Sequence, residues 1–372
     1  MMLATAPSSP PTMSPPASAR GDSDAFDAVK GLLILLIVVG HLSPLQYVSG
    51  MGWLFPVLYR FHVVSFLLLP FLLGRAKWQT RWLADRAVRY LVPYAMWVVA
   101  TAIVFDLTVG AGVAPLELVR RTSWGLWTGN ALDLKAATGF QLYWFLPALF
   151  TVTLLRAVLT RLPGRWLPVA AAVAWALHGT VALWLGGWSC TPLGLAVAVY
   201  VLPMGLTAAW LWPYARRVPS WGLACVAVAL AVTTRAMGLY TNVGVLAVFG
   251  WRDFAWMLIT DIDAIASFLT VVAVAPLLAR VPGLPALGRM SLGIYLCHSL
   301  FLQAVLLVGL RAGRQPFGED AALFAFVGLV TALTGGILSA RLMQLKVLQP
   351  WLLPRGLTDW TATRRWFAGV RP

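Results

Sequence analysis

The chain has 372 residues, of which 60% are hydrophobic and 11% are charged, and its mean hydropathy is +0.80. Soluble domains usually carry about 25% charged residues, and charge is costly to bury in hydrocarbon, so this composition excludes an ordinary soluble domain. The formal net charge is +15, but the basic residues lie between apolar runs, which argues against a nucleic-acid partner.

The N-terminal segment and the cysteines carry little chemistry. Residues 1–25 are rich in Pro, Ser and Ala and lack the apolar core of a signal peptide, so we predict a disordered cytoplasmic tail. Cys190, Cys225 and Cys297 lie in apolar surroundings and are too few for a disulfide framework or a zinc site. We therefore expect no metal cofactor.

Apolar runs long enough to cross the hydrocarbon recur along the rest of the chain. A span needs about 20 apolar residues, and open sheet edges cannot be satisfied in lipid. We therefore predict an all-α polytopic transmembrane helical bundle over 26–346, followed by a basic cytoplasmic C-terminal tail over 347–372. About ten candidate spans follow in chain order: 29–48, 53–73, 88–109, 142–160, 166–187, 192–212, 220–238, 263–280, 290–310 and 321–344.

Segment 242–260 is ambiguous, because it is apolar at both ends but carries Arg252 and Asp253 in the middle. The positive-inside rule places the basic loop at 75–89 in the cytoplasm. If 242–260 does not cross, the later basic loops and the C-terminal tail also fall inside. Ten crossings therefore fit the charge pattern better than eleven, with both termini cytoplasmic and 242–260 as an outer-face or re-entrant element.

The first span contains FDAVKGLLILLIVVGH at 26–41, which places Asp27 and Lys30 at its entry and His41 deep within it. Lys30 and His41 are close to three turns and roughly 16 Å apart on one helix face. A cation at the cytoplasmic mouth and a base at membrane depth suit a long anionic donor that enters from the cytosol. The alternatives are a positive-inside anchor for Lys30 and a hydrogen-bonded bundle residue for His41, although ionisable groups within spans are usually functional.

Two further motifs place basic residues in the second and third spans. RFHVVSFLLLPF puts Arg60 and His62 near the outer part of the second span, where His62 either lines the same cavity as His41 or bonds a neighbouring helix. RAVRYLVPY puts Arg86 and Arg89 on one helix face at the cytoplasmic end of the third span. Paired guanidinium groups suit phosphate, and the alternative is an orientation signal.

The later spans carry weaker signals. QLYWFLPALF opens the fourth span with Trp144, which belongs either to an interfacial aromatic belt or to a substrate platform. LGRMSLGIYLCHSL carries Ser291, Tyr295 and His298 at near-helical spacing. A nucleophilic pair of Cys297 and His298 is disfavoured, because sequence neighbours point in different directions on a helix.

Asp261 and Asp263 lie beside the predicted outer loop. They either help to bind an acceptor hydroxyl or, as is commoner, cap a helix or face water. The sequence has no glycine-rich phosphate loop, paired zinc-ligand motif or nucleophile-elbow serine.

Taken together, these segments resemble the acyltransferase-3 family, and in particular its fucose-4-O-acetylase-like branch, over about 26–345. The family motifs are a D-x-x-[RK]-G frame with a following histidine, then F-H, R-x-x-R before Pro-Tyr, W-F-L, and S-x-G-I-Y-L-x-H. Two positions depart from the family: many members have Arg at Lys30, and Leu73-Gly74 replaces the usual Ser-Gly. In this chain the motifs fall on Asp27, Lys30, Gly31 and His41, on Phe61 and His62, on Arg86, Arg89, Pro93 and Tyr94, on Trp144, Phe145 and Leu146, and on Ser291, Gly293, Ile294, Tyr295, Leu296 and His298.

The resemblance implies an enzyme that moves an acetyl or other acyl group from cytoplasmic acyl-CoA to a hydroxyl of a carbohydrate or glycoconjugate. Arg86, Arg89 and Lys30 are then expected to hold the phosphates of acetyl-CoA, while His41 is the general base on the acceptor hydroxyl. A less favoured variant makes an acyl-histidine at His41. The implied location is a bacterial plasma membrane. The residues expected to line the substrate site are Asp27, His62, Trp144, Tyr295 and His298.

The competing class is a polytopic transporter of a glycan, a lipid or a small anion, without acyl transfer. Buried histidines and basic mouths fit a transporter too. Against it, the sequence has no pair of matching broken spans that would indicate an inverted repeat. In either class, membrane lipid is the expected partner and nucleic acid is not.

Overall fold

The chain is helical throughout the part that the structure describes. The computed structural model describes residues 17–72, 78–108, 113–184, 188–236 and 254–358, and these ranges contain α-helices and short 3₁₀ turns but no strand. The predicted all-α class is confirmed. The α-helices are, in chain order, α1 Ala17–Gly40, α2 Leu54–Tyr59, α3 His62–Leu72, α4 Thr80–Thr108, α5 Pro115–Thr128, α6 Ala131–Thr138, α7 Phe145–Leu159, α8 Leu167–Leu183, α9 Leu195–Ala215, α10 Ser220–Ala236, α11 Phe254–Ala273, α12 Ala275–Leu278, α13 Leu284–Arg311, α14 Ala321–Met343 and α15 Gln349–Leu352.

The length and apolarity of these helices make the chain an integral membrane protein. Two apolar helices of intermediate length, Pro168–Leu183 and Ser220–Thr234, lie at two further predicted spans. The total of about ten crossings stays a prediction. Six stretches among the described residues are long and apolar enough to cross a membrane: Leu54–Leu72, Thr80–Thr108, Leu142–Leu159, Pro192–Ala215, Leu284–Arg311 and Ala321–Met343.

The helices differ from the predicted spans in three places. The second span is broken at Arg60 and Phe61, between α2 and α3. The helix α4 starts at Thr80, before the predicted start at 88, so the R-x-x-R motif lies inside the helix. The predicted outer loop before the fourth span contains two helices, α5 and α6, because Pro115 starts one helix and Asn130 caps the other through Leu132 N–H.

Some predicted segments lie partly or wholly outside the described residues, namely 1–16 of the N-terminal tail, Leu73-Gly74, 242–253 and 359–372 of the C-terminal tail. The remainder of segment 242–260 belongs to α11. The helix α1 already begins at Ala17, so the expectation of disorder does not hold for the end of the predicted N-terminal tail. The division into two tails and one bundle domain stays a prediction.

A glycine contact brings α1 against α13 and thereby builds one wall of the interior. A side chain at Gly31 would collide with the backbone carbonyl of Leu284, and one at Gly288 would collide with the backbone carbonyl of Asp27. Because neither residue has a Cβ, the two helix backbones approach closely at this point. The crossing places the polar residues at the start of α1 beside Arg289.

Candidate active site

Three histidines from three helices meet at the end of α1. The ring centroid of His41 lies 5.1 Å from that of His298, and the two rings meet edge to face. His62 reaches the same point from α3, because its Nε2 lies 3.3 Å from where a Cβ on Gly40 would be. His62 and His298 are fully buried, whereas His41 is half-buried. We call His41, His62 and His298 the histidine layer.

Backbone carbonyls define which nitrogen of each ring carries the proton. His41 Nδ1 donates to Ile37 O at 2.8 Å, and His298 Nδ1 donates to Tyr295 O at 2.8 Å. His62 Nδ1 donates in the same way to Leu58 O. A carbonyl only accepts, so each Nδ1 bears a hydrogen. In the neutral form of each ring, Nε2 then carries the lone pair, so the neutral histidine layer presents three basic Nε2 atoms.

A cavity of about 160 Å³ lies next to this layer, between α1, α3, α4, α7 and α13. Its wider end is lined by Lys30, Arg89 and Arg289, which we call the basic mouth. Its inner end is lined by apolar and aromatic side chains. Ser291 also lines it, on the same wall as Arg289. The inner residues are Ile34, Ile37, Phe66, Leu69, Phe145, Leu149, Leu292 and Tyr295.

The cavity ends one helical turn short of the histidine layer. Its deepest lining residues on α1, α3 and α13 are Ile37, Phe66 and Tyr295, and each lies three or four positions from a histidine of its own helix. Phe145 closes the gap between them, with its ring 5.9 Å from Phe66 and 5.2 Å from Tyr295. We call these four residues the cavity floor. Tyr295 is held there because its hydroxyl donates to Leu142 O.

The charges at the basic mouth are partly paired. Lys30 Nζ lies 2.5 Å from Asp27 Oδ1, and Arg289 lies 3.1 Å from Asp24 and 3.6 Å from Asp27. Arg89 is exposed and makes no ion pair with any of the described residues. An anion at the mouth would therefore meet the unpaired guanidinium of Arg89, and beside it Lys30 and Arg289, whose charges are partly neutralised by carboxylates. Bidentate donors of this kind suit phosphate.

Two of the predicted site residues lie elsewhere. The guanidinium of Arg86 stacks over Trp82 at 5.2 Å and does not line the cavity. Trp144 is buried and lines a separate small pocket with Trp188, while its neighbour Phe145 faces the cavity. Sequence reasoning missed Arg289 as a lining residue, and the only local signal was a basic residue directly after Gly288.

A second polar cluster connects α8, α9 and α11. His178 Nε2 lies 2.7 Å from Asp261 Oδ2, His178 Nδ1 lies 2.6 Å from Tyr200 O, and Tyr200 donates its hydroxyl to Asp261 Oδ1 at 2.7 Å. Two residues on, Asp263 forms a buried ion pair with Arg60 at 2.8 Å. Both carboxylates are thus engaged by side chains of this protein, Asp261 by His178 and Tyr200 and Asp263 by Arg60. His178 was not singled out by its sequence context.

No three His, Cys, Asp or Glu side chains are arranged to hold a metal ion in the part of the chain that the structure describes. The expectation of no metal cofactor stays a prediction. The polar groups of the site are imidazoles, whose Nε2 atoms can accept a proton, and basic side chains at the mouth. This set serves proton transfer and anion binding.

The fold and the site define a class of protein: a polytopic membrane protein whose interior holds a histidine layer beside a cavity with a basic mouth. The acyltransferase-3 family, described as "Acyltransferase domain", matches residues 23–341, and the chain belongs to this family. The family resemblance and the acyltransferase class are therefore confirmed. Membership also favours the enzyme over the transporter.

Two nodulation proteins named NolL are similar to part of the chain. The protein from Mesorhizobium japonicum is 30% identical over 172 residues, which cover 43% of this chain and 42% of the relative. The protein from Sinorhizobium fredii is 30% identical over 174 residues, which cover 43% of each chain. The chain thus matches less than half the length of these relatives. No solved structure matches it significantly.

Proposed function

We propose that the chain is a membrane O-acyltransferase that moves an acetyl or other acyl group from cytoplasmic acyl-CoA to a hydroxyl of a carbohydrate or glycoconjugate. One observation carries the proposal. A cavity with a basic mouth ends one helical turn below His41, and His41 is half-buried, whereas His62 and His298 are fully buried. Donor and acceptor can therefore approach His41 from opposite sides.

The donor side is the basic mouth. Arg89 is the strongest candidate for a phosphate contact, since it lines the cavity and is free of ion pairs with the described residues. Lys30 and Arg289 add charge next to it, and Asp27 limits that charge. Arg86 lies one turn before Arg89 on α4, but it stacks over Trp82 and does not line the cavity. Its part in donor binding is therefore secondary. The bound donor supplies an activated thioester carbonyl.

His41 is the proposed general base. Its Nδ1 hydrogen is held by Ile37 O, so its Nε2 accepts the proton of the acceptor hydroxyl as the hydroxyl oxygen attacks the thioester carbonyl. Carbon–oxygen bond formation and carbon–sulfur bond cleavage then complete the transfer. The acyl-histidine variant uses the same Nε2 as the nucleophile.

The cavity floor has to open for this reaction. Ile37, Phe145 and Tyr295 lie between the cavity and His41, so the thioester reaches His41 only when these side chains turn aside. The closed floor would keep water away from His41 until the acyl-carrying part of the donor inserts.

Family membership supports the proposed acceptor and the proposed location. A carbohydrate hydroxyl on the outer side is the proposed acceptor, with the protein in a bacterial plasma membrane and both termini in the cytoplasm. Of the residues expected to line the substrate site, His62 and His298 join the histidine layer, Tyr295 forms part of the floor and Asp27 lies at the mouth. Trp144 is assigned no contact with the donor.

Acetyl-CoA binding and slow hydrolysis by detergent-purified protein test the proposal. The wild type should bind and hydrolyse acetyl-CoA, and Arg86→Ala/Arg89→Ala should lose binding. Succinyl-CoA, tried in parallel, separates acetyl from other acyl donors. If the wild type binds neither compound, the CoA-dependent enzyme is the wrong function, and transport assays become the appropriate next test.

A further inference from the structure

The basic mouth continues outward along the first turns of α4. Arg89 and Tyr90 line the cavity, whereas Arg86 and Trp82 lie one and two turns before Arg89, towards the start of the helix. Positions three, four and seven residues apart share a helix face, so these side chains lie on one side of α4. We call Trp82, Arg86 and Arg89 the α4 strip.

The α4 strip offers unpaired positive charge beside an aromatic ring. Arg89 is exposed, and Trp82 and Arg86 are half-buried. Neither arginine forms an ion pair with any of the described residues. The opposite face of α4 is an apolar groove that includes Val88 and Leu91, which suits lipid. The strip is therefore the polar side of this helix, and its charge and its ring suit an anion with an aromatic part.

The shape of the cavity determines how much of an acyl-CoA donor can enter it. The cavity measures about 160 Å³, and its inner end is lined by apolar and aromatic side chains. Charged phosphates are costly to bury in such surroundings, so only the slender thioester arm suits the interior. The phosphates then stay at the mouth, and the bulky purine nucleoside lies outside it. Trp82 is seven residues from Arg89, about 10 Å along the helix axis.

We propose that Trp82 is the platform on which the adenine ring of the acyl donor stacks, a role that rests on the proposed acyl transfer. The guanidinium of Arg86 lies over the Trp82 ring, 5.2 Å from its centroid, and holds the indole in place. Adenine takes the other face of the indole. Every nucleobase has a π-face, so such stacking needs no further specific contact. Arg89 then lies between the platform and the cavity, where it meets the donor's phosphates.

Trp78 provides a matched control, four residues before Trp82. A guanidinium also lies over its ring, that of Arg161 at 5.4 Å, and the residue is 38% exposed. However, Trp78 precedes the first residue of α4, Thr80, and so is not part of the strip. Its stacking partner follows the end of α7. The two tryptophans thus share their chemistry and differ in their position relative to Arg89.

The first test compares acetyl-CoA with S-acetyl-4′-phosphopantetheine, which carries the same thioester arm but lacks the adenine nucleotide. Trp82→Ala should lose about tenfold in kcat/KM with acetyl-CoA and less than about twofold with the truncated donor. Trp82→Phe keeps a ring and should lose less than about threefold with acetyl-CoA. Trp78→Ala should change both values by less than about twofold. Equal losses for Trp82→Ala with both donors, or a larger loss for Trp78→Ala with acetyl-CoA, would overturn the proposal.

A second test begins with the wild type alone. Adenosine 3′,5′-bisphosphate, the nucleotide end of the donor without its arm, should inhibit the wild type in competition with acetyl-CoA. Trp82→Ala should raise its inhibition constant about tenfold, and Trp78→Ala should not. If the wild type turns over acetyl-CoA and the bisphosphate does not inhibit it, the platform is wrong. Failure of the proposed function is a different result, in which the wild type turns over neither thioester.

Discussion

His178 and the histidine layer differ in how many ring nitrogens have a hydrogen-bond partner. His178 has a partner at each ring nitrogen, Tyr200 O at 2.6 Å and Asp261 at 2.7 Å. In the histidine layer each Nδ1 is tied to a carbonyl, and His62 Nε2 has no partner among the described residues. A fully satisfied buried network stabilises a fold, whereas unpaired buried polar groups cost stability and persist mainly where function needs them. We therefore treat the cluster of His178, Tyr200 and Asp261 as scaffold and the histidine layer as the reactive site.

The largest expected effect concerns the scaffold. Asp261→Ala leaves His178 and the Tyr200 hydroxyl without their shared partner, so it should lower the free energy of unfolding by about 3–5 kcal/mol. Thermal unfolding in detergent measures this loss. Ile262→Ala is the control, because Ile262 is 54% exposed and should change stability little. The comparison fails if Asp261→Ala is as stable as Ile262→Ala.

The next effect concerns the crossing that joins α1 to α13. Gly31→Ala inserts a methyl group against the backbone of Leu284, so the helices must separate. We expect a loss of about 1–3 kcal/mol in stability and a higher KM for acetyl-CoA, because Lys30 and Arg289 move apart. Gly52→Ala is the control, since its Cβ would meet only Gln46 O, at 3.7 Å. If the KM of Gly31→Ala is unchanged, the close approach of α1 and α13 does not contribute to donor binding.

The smallest effect distinguishes the two arginines of the R-x-x-R motif. Arg89 lines the cavity, whereas Arg86 stacks over Trp82. Arg89→Ala should raise the KM for acetyl-CoA roughly tenfold, about 1.4 kcal/mol, with little change in kcat. Arg86→Ala should raise it less than about threefold. Steady-state kinetics on both variants tests the assignment, which is wrong if the two values of KM rise equally.

Local patterns predicted the parts of the site that lie on single helices. Lys30 and the approach to His41 share one face of α1 because the spacing fits whole turns, and Lys30, Ile34 and Ile37 all line the cavity. The all-α class follows from apolar length alone. The motif order also identified the family before any contact was known.

Contacts between distant segments could not be predicted in this way. Arg289 lies at the mouth because Gly31 and Gly288 let α13 approach α1. Its ion-pair partner Asp27 is close in space but far away in the sequence. His178 looks like any apolar-span residue until Asp261 is placed beside it. Arg60, at the break between α2 and α3, forms its buried ion pair with Asp263, which lies far along the chain. Periodicity describes which face of a helix is inward, not which helix it meets.

The most direct test of the account measures acetyl-CoA binding and turnover on one sample of His41→Ala. His41 is half-buried at the end of α1, so its loss should leave unfolding temperature and donor binding near those of the wild type. Turnover should fall by roughly 100-fold or more, as expected for a missing general base. A His41→Ala protein that binds acetyl-CoA and retains full turnover would contradict the central claim.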